Sequence, residues 1–134
     1  MTTSMTTGMT AGSGGCRLLI VDDDADFGDS LAEALEMHGH EVDIATSGED
    51  GIAAAGRTHY DAILMDLALP GLNGVDSLLA IQKTTPETRC FLMTGYSADH
   101  LATRAIEAGA IEVLTKPLDL DALARRHQIG RAHV

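Results

Sequence analysis

Acids, a hydroxyl and an amine follow short apolar runs at four places in this sequence. Asp22 and Asp23 come after RLLIV, Asp66 ends YDAILMD, Thr94 ends CFLMT, and Lys116 follows IEVLT. Carboxylate oxygens are the ligands that Mg²⁺ and Mn²⁺ prefer, and a carboxylate can also act as a nucleophile. A lysine ammonium and a hydroxyl can bind the oxygens of a transferred phosphoryl group. If these side chains converge, they suit metal-assisted phosphoryl transfer onto an aspartate.

Such a cluster needs positive charge to persist in its ionised form. Three carboxylates within about 5 Å of one another repel by about 3 kcal/mol per pair at an effective dielectric constant of about 20. Lys116 supplies one positive charge, and a divalent ion would supply the rest. The acids are not accompanied by His or Cys at these positions. An all-oxygen set of this kind favours Mg²⁺, with Mn²⁺ as the alternative.

The elements that would position these side chains alternate regularly along the chain. RLLIV, EVDIA, YDAILMD, CFLMT and IEVLT are typical of strands, and the segments between them are apolar at helical spacing. Ser47 is placed to cap a helix, and Gly39, Gly56 and Gly109 stand where helices should stop. The pattern predicts an α/β fold, a doubly wound five-stranded parallel sheet with five helices. Ligands of such sheets bind beyond the carboxyl ends of the strands.

Composition and charge suit one folded domain. The chain has 134 residues, of which 45% are hydrophobic, enough for a single core. The formal net charge of −11 disfavours direct binding to nucleic acid. No apolar run reaches the about 18 residues of a membrane span, and two separated cysteines suit a reducing cytoplasm. We expect a flexible N-terminal tail over residues 1–15, a domain over 16–128 and a C-terminal tail over 129–134.

A calcium-binding loop is one alternative for the stretch DDDADF. Asp22, Asp24 and Asp26 would take loop positions one, three and five, and Glu33 would take position twelve. Position six needs glycine for a sharp turn, and here it is Phe27. The preceding segment also has the pattern of a strand and not of a helix. Asp24 and Asp26 are better explained as helix-start residues, because acids favour helix N-termini.

Four segments together resemble the signature of the response-regulator receiver domain (CheY-like). They are LLIVDDDADF, ILMDLALPGLNG, FLMTGYSA and VLTKPL, in the family's order and spacing. The resemblance covers roughly residues 17–126 and implies that residues 16–128 form a receiver domain of a two-component phosphorelay. It implies a signalling switch that catalyses only its own phosphorylation and dephosphorylation, not a metabolic enzyme.

The resemblance assigns a role to each residue that would handle the phosphoryl group. Asp66 would be the phosphoacceptor. Thr94 would bond to one phosphoryl oxygen, and Lys116 would pair with another. The peptide bond between Lys116 and Pro117 would be cis.

The same resemblance implies a metal site. Asp23 and Asp66 would bind Mg²⁺ directly, with the backbone carbonyl of Ala68 as a third ligand. Asp22 would act through a metal-bound water. These assignments give the metal set Asp22, Asp23, Asp66 and Ala68.

The partners implied are those of the family. The phosphoryl donor would be a phosphohistidine on a sensor histidine kinase or on a histidine phosphotransfer domain. The expected output surface is the fourth helix, the fifth strand and the fifth helix, and a homodimer through this face is one assembly the resemblance allows. The domain itself is expected to bind neither nucleic acid nor membrane.

Two further alternatives stay open. A phosphatase of the haloacid-dehalogenase type would use Asp22 as nucleophile and Asp24 beside it, then a strand-end threonine and a lysine. Such enzymes are usually longer, carry a second acidic pair after the lysine, and would leave Asp66 without a role. A pseudo-receiver, a binding module that has lost phosphorylation, is the other alternative.

Three positions depart from the usual receiver pattern. Val113 stands three residues before Lys116, where receivers usually carry a Tyr or Phe that swings on activation. We expect the surface change to be carried instead by the helix over residues 97–108. The positions of Ala68 and Tyr96 tune hydrolysis of the acyl phosphate in this family. Ala68 has no polar group to orient water and Tyr96 could crowd its path, so a long-lived phosphoryl group is expected.

Overall fold

The computed structural model describes residues 15–95 and 99–119. Within them, strands and helices alternate. The strands are β1 (Arg17–Val21), β2 (Glu41–Ala45), β3 (Ala62–Asp66), β4 (Arg89–Thr94) and β5 (Glu112–Thr115). The helices are α1 (Ala25–Met37), α2 (Gly48–Arg57), α3 (Gly74–Thr84) and α4 (Asp99–Glu107). Almost all of the predicted fifth helix, both expected tails apart from residue 15, and Tyr96 lie outside the described residues.

The five strands form one parallel sheet in the order β2-β1-β3-β4-β5. This is the order of the flavodoxin-like doubly wound fold, which confirms the predicted fold class. β2 and β5 are the edge strands. Because all strands run the same way, their carboxyl ends share one edge of the sheet, and the polar residues that follow them are brought to that edge.

The core lies on both faces of the sheet. Leu19 and Val21 of β1 belong to the cluster that α2, α3 and α4 cover, whereas Leu18 and Ile20 belong to the cluster that α1 covers. All of β3 is buried. Burying a side chain of this size contributes about 1.5–3 kcal/mol. This two-sided burial holds the strand ends rigidly enough to position a site.

The helix boundaries mostly follow the predicted signals. Ser47 caps α2 by accepting a hydrogen bond from the third helical residue. Gly39 and Gly109 have positive φ at 92° and 113°, the backbone conformation that glycine supplies after a helix. Gly56 was a wrong stop signal, since α2 continues through Arg57. Within the described residues, no helix combines the length and the apolar character that a membrane crossing requires.

A polar network lies near the amino ends of β1, β2 and β3, at the end of the sheet opposite to the converging acids. Arg17 pairs with Glu41 at 3.1 Å and with Asp43 at 3.3 Å. The Tyr60 hydroxyl donates to the Asp43 carboxylate at 2.6 Å. Burial and this hydrogen bond raise the pKa of Tyr60, which keeps the hydroxyl a donor. Tyr60 is buried because its ring belongs to the core cluster that α2, α3 and α4 cover, although β3 begins two residues later and not at Tyr60, as the apolar run predicts.

Cys90 is expected to resist thiol reagents as long as the protein stays folded. Its side chain is 2% exposed, and burial raises the pKa of the thiol to about 12. Because only the thiolate reacts, labelling at pH 8 should require unfolding. The test is a titration with Ellman's reagent, with and without urea, on a Cys16→Ser variant that leaves Cys90 as the reporter. Rapid labelling of the native variant would contradict the burial described.

Candidate functional site

Three carboxylates converge at the carboxyl ends of β1 and β3. Asp22 follows β1 directly, Asp23 comes next, and Asp66 is the last residue of β3. One carboxylate oxygen from each lies within 4.8 Å of the other two. Asp22 and Asp66 are buried, whereas Asp23 is exposed. The cluster can therefore be reached from solvent on the Asp23 side.

Lys116 brings the fifth strand into the same cluster. Its Nζ donates to Asp22 Oδ2 at 2.7 Å and to Asp66 Oδ2 at 3.4 Å. Its backbone N–H donates to the carbonyl of Thr94 at 2.7 Å, which joins the ends of β4 and β5. The Lys116–Pro117 peptide bond is cis, as the family resemblance predicts. The lysine thus lies between two carboxylates that are far apart in the sequence.

The electrostatics of the cluster favour an additional cation. Burial raises the pKa of Asp66, and the charge of Asp22 adds to this, while the Ala68 N–H and Lys116 oppose it. Burial would lower the pKa of Lys116, but its hydrogen bond to Asp22 and the two acidic charges outweigh this and raise it. Three carboxylates facing one ammonium leave the site net negative. The donors are all oxygens, which suits Mg²⁺ or Mn²⁺.

The loop after β3 holds the Asp66 carboxylate and its main chain. Oδ1 of Asp66 accepts a hydrogen bond from the Ala68 N–H at 3.0 Å. The loop then folds back, so that the Gly74 N–H donates to the Leu67 carbonyl at 3.2 Å. A Cβ on Gly74 would lie 2.5 Å from the Asp66 carbonyl oxygen. The sequence marks Gly74 only as a loop glycine, so its contact with the Asp66 main chain was missed.

Asp24 serves the start of α1, as predicted. Its Oδ1 accepts a hydrogen bond from the Phe27 N–H at 3.1 Å, and its own N–H donates to Asp22 Oδ1 at 2.9 Å. Asp26 lies in the first turn of α1. In the described part of the chain the converging acids are those at positions 22, 23 and 66. This arrangement favours neither a calcium loop nor a phosphatase pair of Asp22 and Asp24.

Thr94 lies at the same edge of the sheet. It ends β4 and is 7% exposed, and its neighbour Met93 is the residue in register with Asp66. Val113 is partly buried and packs against the core, while Ala68 is exposed. The described residues thus place the hydroxyl, the lysine and the acids at one edge.

Phe27 is a neighbour of the site that sequence reasoning assigned only to the apolar stripe of α1. Its ring centroid lies 4.3 Å from Lys116 Nζ. The side chain is partly buried and packs against the core cluster on the α1 face. The spacing of α1 signals an inward-facing residue, but it carries no information about a lysine 89 positions away.

Comparison with known proteins identifies the family. The sequence model of the response regulator receiver domain matches residues 18–128. The chain belongs to the response regulator receiver family. A response regulator receiver protein of Anaeromyxobacter sp. is 38% identical over 102 residues, which make up 76% of this chain and 43% of that protein. This receiver domain therefore spans less than half the length of that curated relative.

Solved structures agree with this assignment. A CheY-like receiver domain protein from Methanospirillum hungatei superposes with a TM-score of 0.78 at 32% identity, covering 81% of this chain and 87% of that one. A response regulator from Burkholderia pseudomallei, solved with a phosphorylated aspartic acid, a calcium ion and citrate, gives 0.77 at 26% identity, with 84% and 68% covered. Receiver domains are the signalling switches of two-component systems.

Proposed function

We propose that this receiver domain, residues 16–128, accepts a phosphoryl group on Asp66 from a phosphohistidine of a sensor histidine kinase or a histidine phosphotransfer domain. One observation carries the proposal. The Asp66 carboxylate lies 3.4 Å from the Lys116 ammonium and within 4.8 Å of two other carboxylates. An acid that is held beside both a cation and a metal-ligating set is suited to become an acyl phosphate.

The chemistry follows from how Asp66 is held. A carboxylate oxygen attacks the phosphorus, an O–P bond forms, and the N–P bond of the phosphohistidine breaks with its electron pair left on the imidazole nitrogen. Oδ1 is fixed by the Ala68 N–H and Oδ2 faces Lys116, so the nucleophile is oriented before the donor arrives. Lys116 and the Thr94 hydroxyl would each bind a phosphoryl oxygen. Attack of water on the same phosphorus would later restore the carboxylate.

The donor set fits a magnesium ion. Asp23, Asp66 and the Ala68 carbonyl would hold it, and Asp22 would act through a water; Mn²⁺ would fit the same oxygens. The ion would supply positive charge to the phosphoryl oxygens. Asp22 is kept in orientation by the Asp24 N–H and by Lys116. The exposure of Asp23 leaves an entry side open to solvent.

Phosphorylation would act as a switch by adding charge where β3, β4 and β5 end. The Lys116 N–H bonds to the Thr94 carbonyl, so a shift at either residue reaches the chain that leads into α4. We therefore place the output surface on α4, β5 and the predicted fifth helix, and a homodimer would use this face. Val113 has no aromatic ring that could change its position on activation, so the switch must act without this movement.

The net charge of −11 argues against nucleic acid as a direct ligand of this domain. We place the phosphorylation reaction in the cytoplasm.

The decisive experiment locates the covalent phosphate. The protein is incubated with acetyl phosphate and Mg²⁺, reduced with borohydride, and mapped by mass spectrometry. We expect one phosphoryl group on the intact protein before reduction, and homoserine at position 66 after hydride has displaced the phosphate. Modification at Asp22 would instead support a phosphatase-type nucleophile. Absence of any modification would support a pseudo-receiver that acts as a binding module.

The Ala68→Asn variant is expected to lose its phosphoryl group about fivefold faster than the wild type, equivalent to about 1 kcal/mol in the barrier. Ala68 is exposed beside the acceptor, and its side chain offers no polar atom to orient an attacking water. An asparagine amide would supply one. Decay of phosphorylated protein is followed after removal of acetyl phosphate, with Ala53→Asn, at an exposed position of α2, as the control. Equal lifetimes for Ala68→Asn and the wild type would count against this role.

A further inference from the structure

Among the residues that the structure describes, the Lys116 ammonium has neighbours of two kinds. Two are carboxylates, with Asp22 nearer at 2.7 Å and Asp66 further at 3.4 Å. The third is the ring of Phe27, whose centroid lies 4.3 Å away. The Lys116 side chain is 21% exposed, so this ring contact is made largely out of water. A cation over a ring face is attracted by the ring quadrupole, more strongly when desolvated.

The Phe27 ring is held in place from its own side. Phe27 lies in the first turn of α1, and its backbone N–H is fixed by the Asp24 carboxylate at 3.1 Å. Its side chain packs against the core cluster that also receives Leu118, two residues past Lys116. The ring therefore connects the first turn of α1 with the loop after β5. A lysine has a flexible four-carbon stem, and a fixed ring restricts where its ammonium can lie.

Attraction to the carboxylates alone would draw the ammonium toward Asp22, the closer partner. The phosphoryl group is expected on Asp66, so Lys116 must stay available on that side. We propose that the face of the Phe27 ring restrains the Lys116 ammonium between Asp22 and Asp66, where it can reach the acceptor, which makes Phe27 a positioning residue for phosphoryl acceptance. This inference rests on the function proposed above. Without an aromatic face, Lys116 would spend more time on Asp22 or in solvent.

The kinetic test compares Phe27→Leu, which keeps apolar bulk, with Phe27→Tyr, which keeps the ring face. At saturating Mg²⁺, we expect Leu to slow phosphorylation by acetyl phosphate about fivefold and Tyr to stay within about twofold of the wild type. Site-specific trifluorophenylalanine, which weakens the quadrupole at nearly constant shape, should give an intermediate rate. Equal slowing of Leu and Tyr, or no slowing of Leu, would overturn the proposal.

A second measurement does not depend on phosphorylation. In the metal-free protein, the ring current of Phe27 should shift the ε-methylene protons of Lys116 upfield in the NMR spectrum. The shift should persist in Phe27→Tyr and disappear in Phe27→Leu. An unshifted Lys116 signal in the wild type would refute the ring contact, whatever the kinetics. Failure of the wild type to accept phosphate on Asp66 would instead refute the proposed function and leave the ring contact measurable.

Discussion

Replacement of Asp66 by asparagine is expected to abolish phosphorylation, lowering the rate by at least about a thousandfold. The amide is a poor nucleophile toward phosphorus and cannot form the acyl phosphate. Its oxygen can still accept the Ala68 N–H bond, so the loop after β3 should keep its course. The measurement is incorporation of labelled phosphate from acetyl phosphate in the presence of Mg²⁺.

The Asp66→Asn variant should remain folded, so that its inactivity can be interpreted. It removes one of three carboxylates that lie within 4.8 Å of one another. Each such pair repels by about 3 kcal/mol at an effective dielectric constant of about 20. Relief of this repulsion offsets the attraction to Lys116 that the variant loses. Asp76→Asn, the same change at an exposed acid in the first turn of α3, serves as the control and should be phosphorylated normally. Residual labelling on Asp22 in the Asp66 variant would contradict the assignment.

Gly74→Ala is expected to destabilise the fold by about 3 kcal/mol and to slow phosphorylation as well. The added Cβ would lie 2.5 Å from the Asp66 carbonyl oxygen and 2.8 Å from Leu67 Cα. Both atoms belong to the main chain and cannot rotate away, so α3 or the end of β3 must move. Movement of the Asp66 main chain would displace the carboxylate from Lys116. Urea unfolding and the rate of phosphorylation should be measured on the same preparation.

Gly56→Ala provides the matched control for this prediction. Gly56 is an exposed helical glycine, and a Cβ there would meet nothing within 4 Å. Alanine is the better helix former, so this variant should gain about 0.5–1 kcal/mol. If the Gly74 variant were as stable as the Gly56 variant, the close approach to Asp66 would be wrong.

The sequence was sufficient to predict the class of fold and the meeting of the acids. The prediction worked because apolar runs ending in polar residues mark the carboxyl ends of parallel strands, and those ends share one edge. On this basis we predicted that Asp22, Asp66 and Lys116 converge. Both carboxylates do lie within hydrogen-bonding distance of the lysine ammonium. Asp24 was correctly separated from the site acids as a helix-start residue, because acids favour helix N-termini; the structure shows it to be the cap of α1.

Other features depend on tertiary distances that local patterns do not encode. The ring of Phe27 meets Lys116 because the first turn of α1 and the loop after β5 approach each other at one sheet edge. The approach of Gly74 to Asp66 depends on how the β3–α3 loop folds back. Tyr60 was assigned to a strand, yet it lies before β3, packs in the core and donates a hydrogen bond to Asp43 on another element. A helical glycine such as Gly56 looks like a stop signal unless the packing around it is known.

The two edge strands of the sheet, β2 and β5, differ in how easily another copy of the molecule could pair with them. β2 presents Glu41 and Asp43, both already engaged by Arg17, and a strand aligning there would have to strip water from three charged groups. Around β5, Ile111 is 47% exposed and Val113 partly so, and Glu112 is the one charged residue within the described strand. Among the described residues, the β2 edge therefore opposes edge-to-edge pairing with another copy more strongly than the β5 edge does.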